Sequence, residues 1–171
     1  MKRTTAVLAL GLAGTLSGAL PVRAGPDGAD RGAALEGLAF ENVSISVADL
    51  DRSAAWYRDA LGFREIRQGE FPSVGARFAM LEGLGMKIEL ITAGKATAPD
   101  KGATPPEHLR TTGYKTLVLR TSKLGELTRY LERKGVSIVW KEQKLAGDLS
   151  STMFHDLDGN LINVFGRAGG H

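Results

Sequence analysis

The chain has 171 residues, no Cys and a formal net charge of +3. Without Cys, the protein cannot form disulfides, use a thiol nucleophile or bind zinc through thiolates. The charge is small and only 6% of the residues are aromatic, so neither property favours a nucleic-acid partner.

Residues 1–24 have the pattern of a secretory signal peptide. Lys2 and Arg3 precede an apolar run from Ala6 to Leu20, and the following segment 21–24 has small side chains at the two positions that cleavage needs. The run is short and Gly-rich for a membrane anchor, which needs about 20 apolar residues. We expect cleavage after Ala24, a secreted or periplasmic protein, and no membrane association afterwards. The removed segment carries three cations and no acid, so the mature protein is neutral.

The remaining chain has the length of one domain and contains an internal repeat. Residues 25–38 are small and polar and predict a flexible leader, whereas 39–167 predict the domain. Within it, residues 39–92 and 114–167 each have the pattern strand, helix, three strands. Residues 93–113, with three of the six Pro, form a linker that includes His108, for which we expect solvation rather than a chemical role.

Periodicity and capping residues give the expected element bounds. The first module predicts a helix that Asp49 or Asp51 caps and Gly62 ends, with strands at 40–47, 63–67, 76–82 and 87–92 and a loop through Gly69, Pro72, Ser73 and Gly75. The second module predicts a helix from about residue 123 to 134 that Ser122 caps and Gly135 ends, with strands at 116–121, 136–141, 151–155 and 161–165 and a loop at 143–150.

The last strand of each module carries a polar residue among apolar ones. In the hairpin from Met153 to Phe165, an Asp-Gly turn precedes a strand whose alternation places Leu161, Asn163 and Phe165 on one face. Glu89 occupies the corresponding position 74 residues earlier. Two modules that each leave one sheet face uncovered pair most simply around a shared cleft, in an α+β fold.

Four segments together resemble the vicinal oxygen chelate superfamily, which includes glyoxalase I, bleomycin- and fosfomycin-resistance proteins and extradiol dioxygenases. These segments are 47–50, 56–63, 87–90 and 156–162. The resemblance implies two tandem βαβββ modules that form one curled mixed sheet around a central cleft, often in a homodimer. It also implies, in metal-using members, two ligands from each module to a divalent ion.

Position by position, the four ligands of the family fall on Asn42, Glu89, Thr116 and Asn163. Only Glu89 keeps a family ligand type. One carboxylate with three neutral oxygens binds zinc, iron or nickel poorly, because these ions favour imidazole and carboxylate. We therefore predict no cofactor and disfavour a divalent metal, with Glu89 as the single retained candidate ligand.

The same face still has the composition of a small-molecule site, because polar groups lie beside apolar ones. The candidate ligand-binding residues are Asn42, Ser44, Lys87, Thr116, Arg120, Asn163 and Phe165. Glu89 can serve as a general acid or base, or it can form a structural ion pair with Lys87 or Arg120. His155 is a further candidate whose face the alternation leaves open.

These residues support two functional hypotheses from different classes. The first is an exported protein that binds a small organic molecule without a metal. The second is a lyase, isomerase or dioxygenase-like enzyme that uses Glu89 as acid or base, or that holds a metal through unusual ligands.

Overall fold

The computed structural model describes residues 35–94, 96, 105–110 and 112–167. The chain divides into two compact units, Met1–Phe40 and Glu41–His171. The predicted signal peptide, most of the predicted leader and part of the predicted linker lie outside the described residues. Among the residues that are described, no helix is long and apolar enough to cross a membrane.

Where the structure describes the second unit, it contains eight strands and two α-helices in the predicted module order. The first module consists of β1 (Val43–Ser46), α1 (Leu50–Leu61), β2 (Arg64–Phe71), β3 (Ala76–Gly83) and β4 (Met86–Thr92). The second consists of β5 (Thr116–Arg120), α2 (Leu124–Arg133), β6 (Ile138–Ala146), β7 (Leu149–His155) and β8 (Leu161–Arg167). Short 3₁₀ turns lie at Pro72–Val74 and Glu107–Arg110.

The strands form two four-stranded mixed sheets with equivalent topology. Their orders are β1-β4-β3-β2 and β5-β8-β7-β6, with the first two strands of each order parallel and the others antiparallel. Val43 pairs with Ile88 in the first sheet, and Leu117 pairs with Ile162 in the second. Each pair is separated from its counterpart by the predicted 74 residues, so the α+β class and the tandem modules are confirmed.

Local chemistry explains where α1 begins and ends. The Asp49 side chain accepts a hydrogen bond from the Arg52 backbone N–H at 3.0 Å, which satisfies one of the free donors of the first turn. Gly62 closes the helix in the left-handed conformation, at φ 73°. The prediction for α1 is therefore confirmed, with Asp49 rather than Asp51 as the cap.

Two expectations about the second module were wrong. Ser122 does not cap α2, because Lys123 occupies the capping position without a side-chain bond and Thr121 Oγ1 instead accepts from the Lys123 N–H at 3.0 Å. The expected loop at 143–150 is mostly strand, since β6 and β7 continue to a tight turn at Gly147 and Asp148. The polar residues of this segment lie on an exposed part of β6, where they do not interrupt a strand.

A third correction concerns Gly69, which lies within β2 and not in a loop. A β-carbon at this position would lie 2.8 Å from the Phe78 ring. The glycine therefore permits the ring to lie against the backbone of the neighbouring strand.

One core joins the helix-facing sides of the two sheets. From the first module it includes Tyr57, Phe63, Leu81, Ile88 and Leu90, and from the second it includes Leu124, Leu131, Phe154, Ile162 and Val164. We call the opposite side of each sheet its open face. The helix-facing residues alternate along the strands with open-face residues, which is why the periodicity predicts both sets.

The turn between β7 and β8 ties the modules together. The buried Asp156 carboxylate accepts from the Tyr57 hydroxyl at 3.0 Å and from the backbone N–H groups of Asp158 and Asn160 at 2.9 and 2.8 Å. The Asp158 carboxylate accepts a hydrogen bond from the Ala48 N–H at 2.9 Å and one from the Ser53 hydroxyl, in the first turn of α1, at 2.8 Å. The negative charge of Asp158 also interacts favourably with the positive, N-terminal end of the α1 dipole. The two acids therefore anchor the first module through α1.

Candidate functional site

The open face of the first sheet carries three of the predicted site residues. Ser44 and Glu89 are direct neighbours in the parallel pairing of β1 with β4, and the Ser44 hydroxyl donates to Glu89 Oε2 at 2.8 Å. Lys87 lies two residues before Glu89 on the same face and pairs with Glu41 at 2.8 Å. The hydrogen bond and charge of Lys87 lower the pKa of the Glu41 carboxyl.

This geometry bears on the alternative roles of Glu89. Among the described residues, Glu89 forms no ion pair with Lys87 or Arg120, and its one hydrogen bond comes from a neutral hydroxyl. The carboxylate is only partly buried. The structural ion pair is therefore not observed, whereas the acid or base role is compatible with the geometry.

Asn42 lies just before β1 and is partly buried. The predicted site role of Asn42 requires it to lie within β1, but the strand begins at Val43. The sheet register therefore does not fix the direction of the Asn42 side chain.

An aromatic cluster adjoins this polar patch. The Phe78 ring stacks on Phe71 with centroids 4.7 Å apart, and the Arg67 guanidinium lies 5.1 Å from the Phe78 centroid. Arg67 pairs with Met80, which in turn pairs with Glu89. The polar residues thus lie beside an apolar wall that the sequence did not indicate, because it forms between β2 and β3.

The open face of the second sheet carries the remaining predicted residues. In the pairing of β5 with β8, Thr116 lies opposite Leu161, Val118 opposite Asn163, and Arg120 opposite Phe165. All of these residues share one face because paired residues point to the same side of a sheet. The predicted alternation of β8 is therefore observed.

Asn163 is the unusual member of this face. It is only 7% exposed, and among the described residues its side-chain oxygen has no hydrogen-bond partner. Burying a polar atom without a partner costs roughly 1–3 kcal/mol. The neighbouring Val118 is 53% exposed, so the row of paired residues that contains Asn163 reaches solvent at β5.

Sequence reasoning missed the other end of this row. Asn163 pairs with Met153 and Met153 pairs with Trp140, whose indole N–H donates to Ser151 Oγ at 3.0 Å. The sequence predicts a strand at Trp140 and indicates no role for it. The repeat contains the signal, because from Gly62 and Gly135 to Met80 and Met153 the offset is 73 residues, which makes Trp140 the counterpart of Arg67.

The two predicted histidines have different positions. His155 pairs with Leu161, so it lies on the open face of the second sheet beside the Asn163 row. His108 lies in the 3₁₀ turn of the linker, and its Nδ1 is buried without a partner among the described residues.

Among the described residues, the predicted site residues form two separate sets, one on each sheet. Within the described ranges, no hydrogen bond or ion pair joins a predicted site residue of one module to one of the other. In the same ranges, no three His, Asp or Glu side chains are grouped as metal ligands would be. A shallow groove along α2, lined by residues such as Lys123, Arg129 and Arg133, contains no predicted site residue.

Comparisons with known proteins agree with the fold. The model of a family described as the glyoxalase/bleomycin resistance protein/dioxygenase superfamily matches residues 39–164. A glyoxylase/bleomycin resistance protein/dioxygenase domain from Frankia sp. EAN1pec is 23% identical with a TM-score of 0.61, over 78% of this chain and 94% of that one. The trypanothione-dependent glyoxalase I of Leishmania major is 20% identical with a TM-score of 0.57, over 73% and 84%.

A third similar structure comes from the mobile metagenome of V. pseudocholerae. It is 27% identical with a TM-score of 0.54, and the match covers 77% of this chain and 95% of that one. No curated protein matches the chain.

Proposed function

Because the chain belongs to the glyoxalase/bleomycin resistance protein/dioxygenase superfamily, we propose that it is an exported protein that binds a small organic molecule between its two modules. The observation that carries this proposal is the chemistry of the four family ligand positions. Three of them hold neutral side chains, and the carboxylate at the fourth accepts a hydrogen bond from Ser44.

This donor set does not fit the divalent metal of the family. Zinc, iron and nickel are normally held by imidazole and carboxylate groups, and here Asn42, Thr116 and Asn163 replace them. We therefore propose that the protein works without that metal. No step of its action is assigned to one.

Apolar groups beside the polar positions support binding of an organic molecule. Phe71 and Phe78 flank the Glu89 patch, whereas Met153 and Trp140 flank Asn163. Small-molecule sites combine apolar walls, which supply affinity, with a few polar groups, which supply orientation. As the resemblance implies, the proposal includes a homodimer.

A second candidate function rests on Glu89. Its carboxylate lies on an open face, is only partly buried and forms no ion pair with the described residues. A carboxylate in this state can take a proton from a bound substrate, which is what a lyase or isomerase requires.

The test is a ligand screen with metal analysis, on protein purified without an affinity tag. Vicinal dioxygen compounds, glutathione adducts and aromatic antibiotics are screened for a rise in melting temperature, which reports binding to the native state. We expect a binder and less than stoichiometric zinc, iron, nickel or manganese. Stoichiometric metal that disappears in Glu89→Gln would contradict the metal-free proposal. Product formed by wild type but not by Glu89→Gln would favour the enzyme.

The exported state has its own test. The mature protein is expected to begin at Gly25, which intact-mass measurement of secreted or periplasmic material determines directly. Retention of residues 1–24 on that material would contradict the proposal.

A further inference from the structure

The buried side-chain oxygen of Asn163 lacks a partner for a reason that the repeat makes visible. At the equivalent place in the first module, Ser44 lies opposite Glu89 and its hydroxyl reaches the carboxylate at 2.8 Å. In the second module, Val118 lies opposite Asn163 and offers only methyl groups. Because the two modules share this geometry, the donor is missing only because residue 118 is Val where the first module has Ser44.

The residues around Asn163 indicate the charge and polarity of a ligand that could donate a hydrogen bond to it. Its paired neighbours are Val118 on one side and Met153 on the other, with Trp140 beyond Met153. No side chain of this row is charged, which favours a neutral group and an apolar body along it, and Arg120 and His155 lie in the adjacent rows of the same face. The Trp140 indole is held by Ser151, which gives the row a fixed aromatic end.

The row is accessible from one side. Val118 is 53% exposed, and adjacent strands are only about 4.8 Å apart, so a molecule resting on Val118 lies next to the Asn163 amide. Because Asn163 is 7% exposed and Met153 2%, side chains around them must shift when the molecule enters, and the flexible thioether side chain of Met153 is suited to such a shift.

We propose that the ligand is a neutral aromatic compound whose O–H or N–H group donates a hydrogen bond to Asn163 Oδ1 while its ring lies along Val118, Met153 and Trp140. This inference rests on the proposed binding function and specifies its ligand class. Because Glu89 already accepts from Ser44 whereas Asn163 Oδ1 has no partner among the described residues, the second module is the one that recognises the ligand's O–H or N–H group.

The first experiment compares phenol with its methyl ether, anisole, on the wild-type protein. The two probes have similar rings, but only phenol donates a hydrogen bond. Binding is followed by intrinsic tryptophan fluorescence and by calorimetry. We expect phenol to bind roughly tenfold more tightly, which corresponds to about 1.4 kcal/mol, the typical contribution of one hydrogen bond. Equal binding of the two probes, as an internal water on Asn163 would give, overturns the proposal.

The second experiment supplies the missing donor from within the chain. Val118→Thr keeps the branched shape and adds a hydroxyl where the first module has Ser44. We expect the Thr hydroxyl to bond Asn163, to raise the melting temperature by roughly 2–5 °C and to abolish the roughly tenfold preference for phenol over anisole within the variant. Val118→Ala is the matched control, because it changes the wall without adding a donor, and we expect phenol to retain its preference there.

These outcomes separate the inference from the proposed function. A preference for phenol over anisole that persists in Val118→Thr, with the melting temperature raised, would overturn the role of Asn163. If the wild type binds neither probe but binds another compound of the screen, the ligand class is wrong while the binding function stands. If no compound of the screen or probe pair binds, the proposed function itself fails.

Discussion

Replacing Tyr57 by Phe tests the inter-module anchor with the least change of shape. The substitution removes one hydroxyl, which lies in the core and donates to Asp156 Oδ2 at 3.0 Å. A hydrogen bond to a charged group contributes about 1.5–3 kcal/mol. Asp156 Oδ2 also accepts from the Asn160 side chain at 2.8 Å, so the carboxylate keeps a partner. We therefore expect a loss of about 1.5–2 kcal/mol, at the lower end of that range.

The same contact predicts a dependence on pH. Burial, and then the negative charge of Asp156, raise the pKa of Tyr57 well above its ordinary value of 10.0. Above that pH the unfolded state loses a proton that the folded state keeps, so the contribution is complete below pH 10.0 and declines as the pH rises. The unfolding free energy of wild type should fall relative to Tyr57→Phe by about 1.4 kcal/mol for each pH unit.

Urea denaturation of both proteins at neutral pH and at several values above pH 10.0 measures this difference. Tyr130→Phe is the matched control, because its hydroxyl donates to the exposed, neutral carbonyl of Asp59 at 2.9 Å. We expect the control to lose less than about 1 kcal/mol. If both variants lose the same amount and the wild-type and Tyr57→Phe curves stay parallel at high pH, the anchoring role of Tyr57 is wrong.

Three further substitutions test other parts of the structure by the same denaturation assay. Gly69→Ala should cost about 1–3 kcal/mol because the new methyl lies 2.8 Å from the Phe78 ring, and a Phe78→Leu background should relieve part of that cost. Leu84→Asn should stabilise by roughly 0.5–1 kcal/mol, because Leu84 adopts φ 55° in an exposed hairpin turn where Asn is better tolerated, and an unchanged midpoint would contradict this. Glu89→Gln should change stability by less than about 1.5 kcal/mol, since it alters one hydrogen bond from Ser44; a loss of about 3–5 kcal/mol would instead reveal a buried ion pair.

The sequence predicts those parts of the fold that depend on local chemistry. Asp49 and Gly62 mark the ends of α1, and Gly135 follows the end of α2. The alternation of β8 separates Asn163 from its core neighbours, as the strand pairing confirms. In each case the information lies within a few residues of the feature.

The parts that sequence reasoning missed depend on pairing between strands. Whether Asn163 has a partner is decided by Val118, which lies 45 residues away, and nothing local to β8 specifies that. The pairing of Trp140 with Met153 cannot be predicted from the sequence because the pairing of β6 with β7 shifts register on both sides of Trp140. The sequence predicts a loop at Gly69 because the contact that requires a glycine there comes from Phe78 on another strand.

The turn between β7 and β8 also has a consequence for the order in which the chain acquires its structure. The three hydrogen bonds that Ala48, Ser53 and Tyr57 donate to this turn span 110, 105 and 99 residues. During synthesis the first module emerges before the residues that complete it, and such long-range contacts close slowly. The first module therefore cannot reach its final state until Asp156 and Asp158 have been made, and the two modules should gain and lose structure as one cooperative unit.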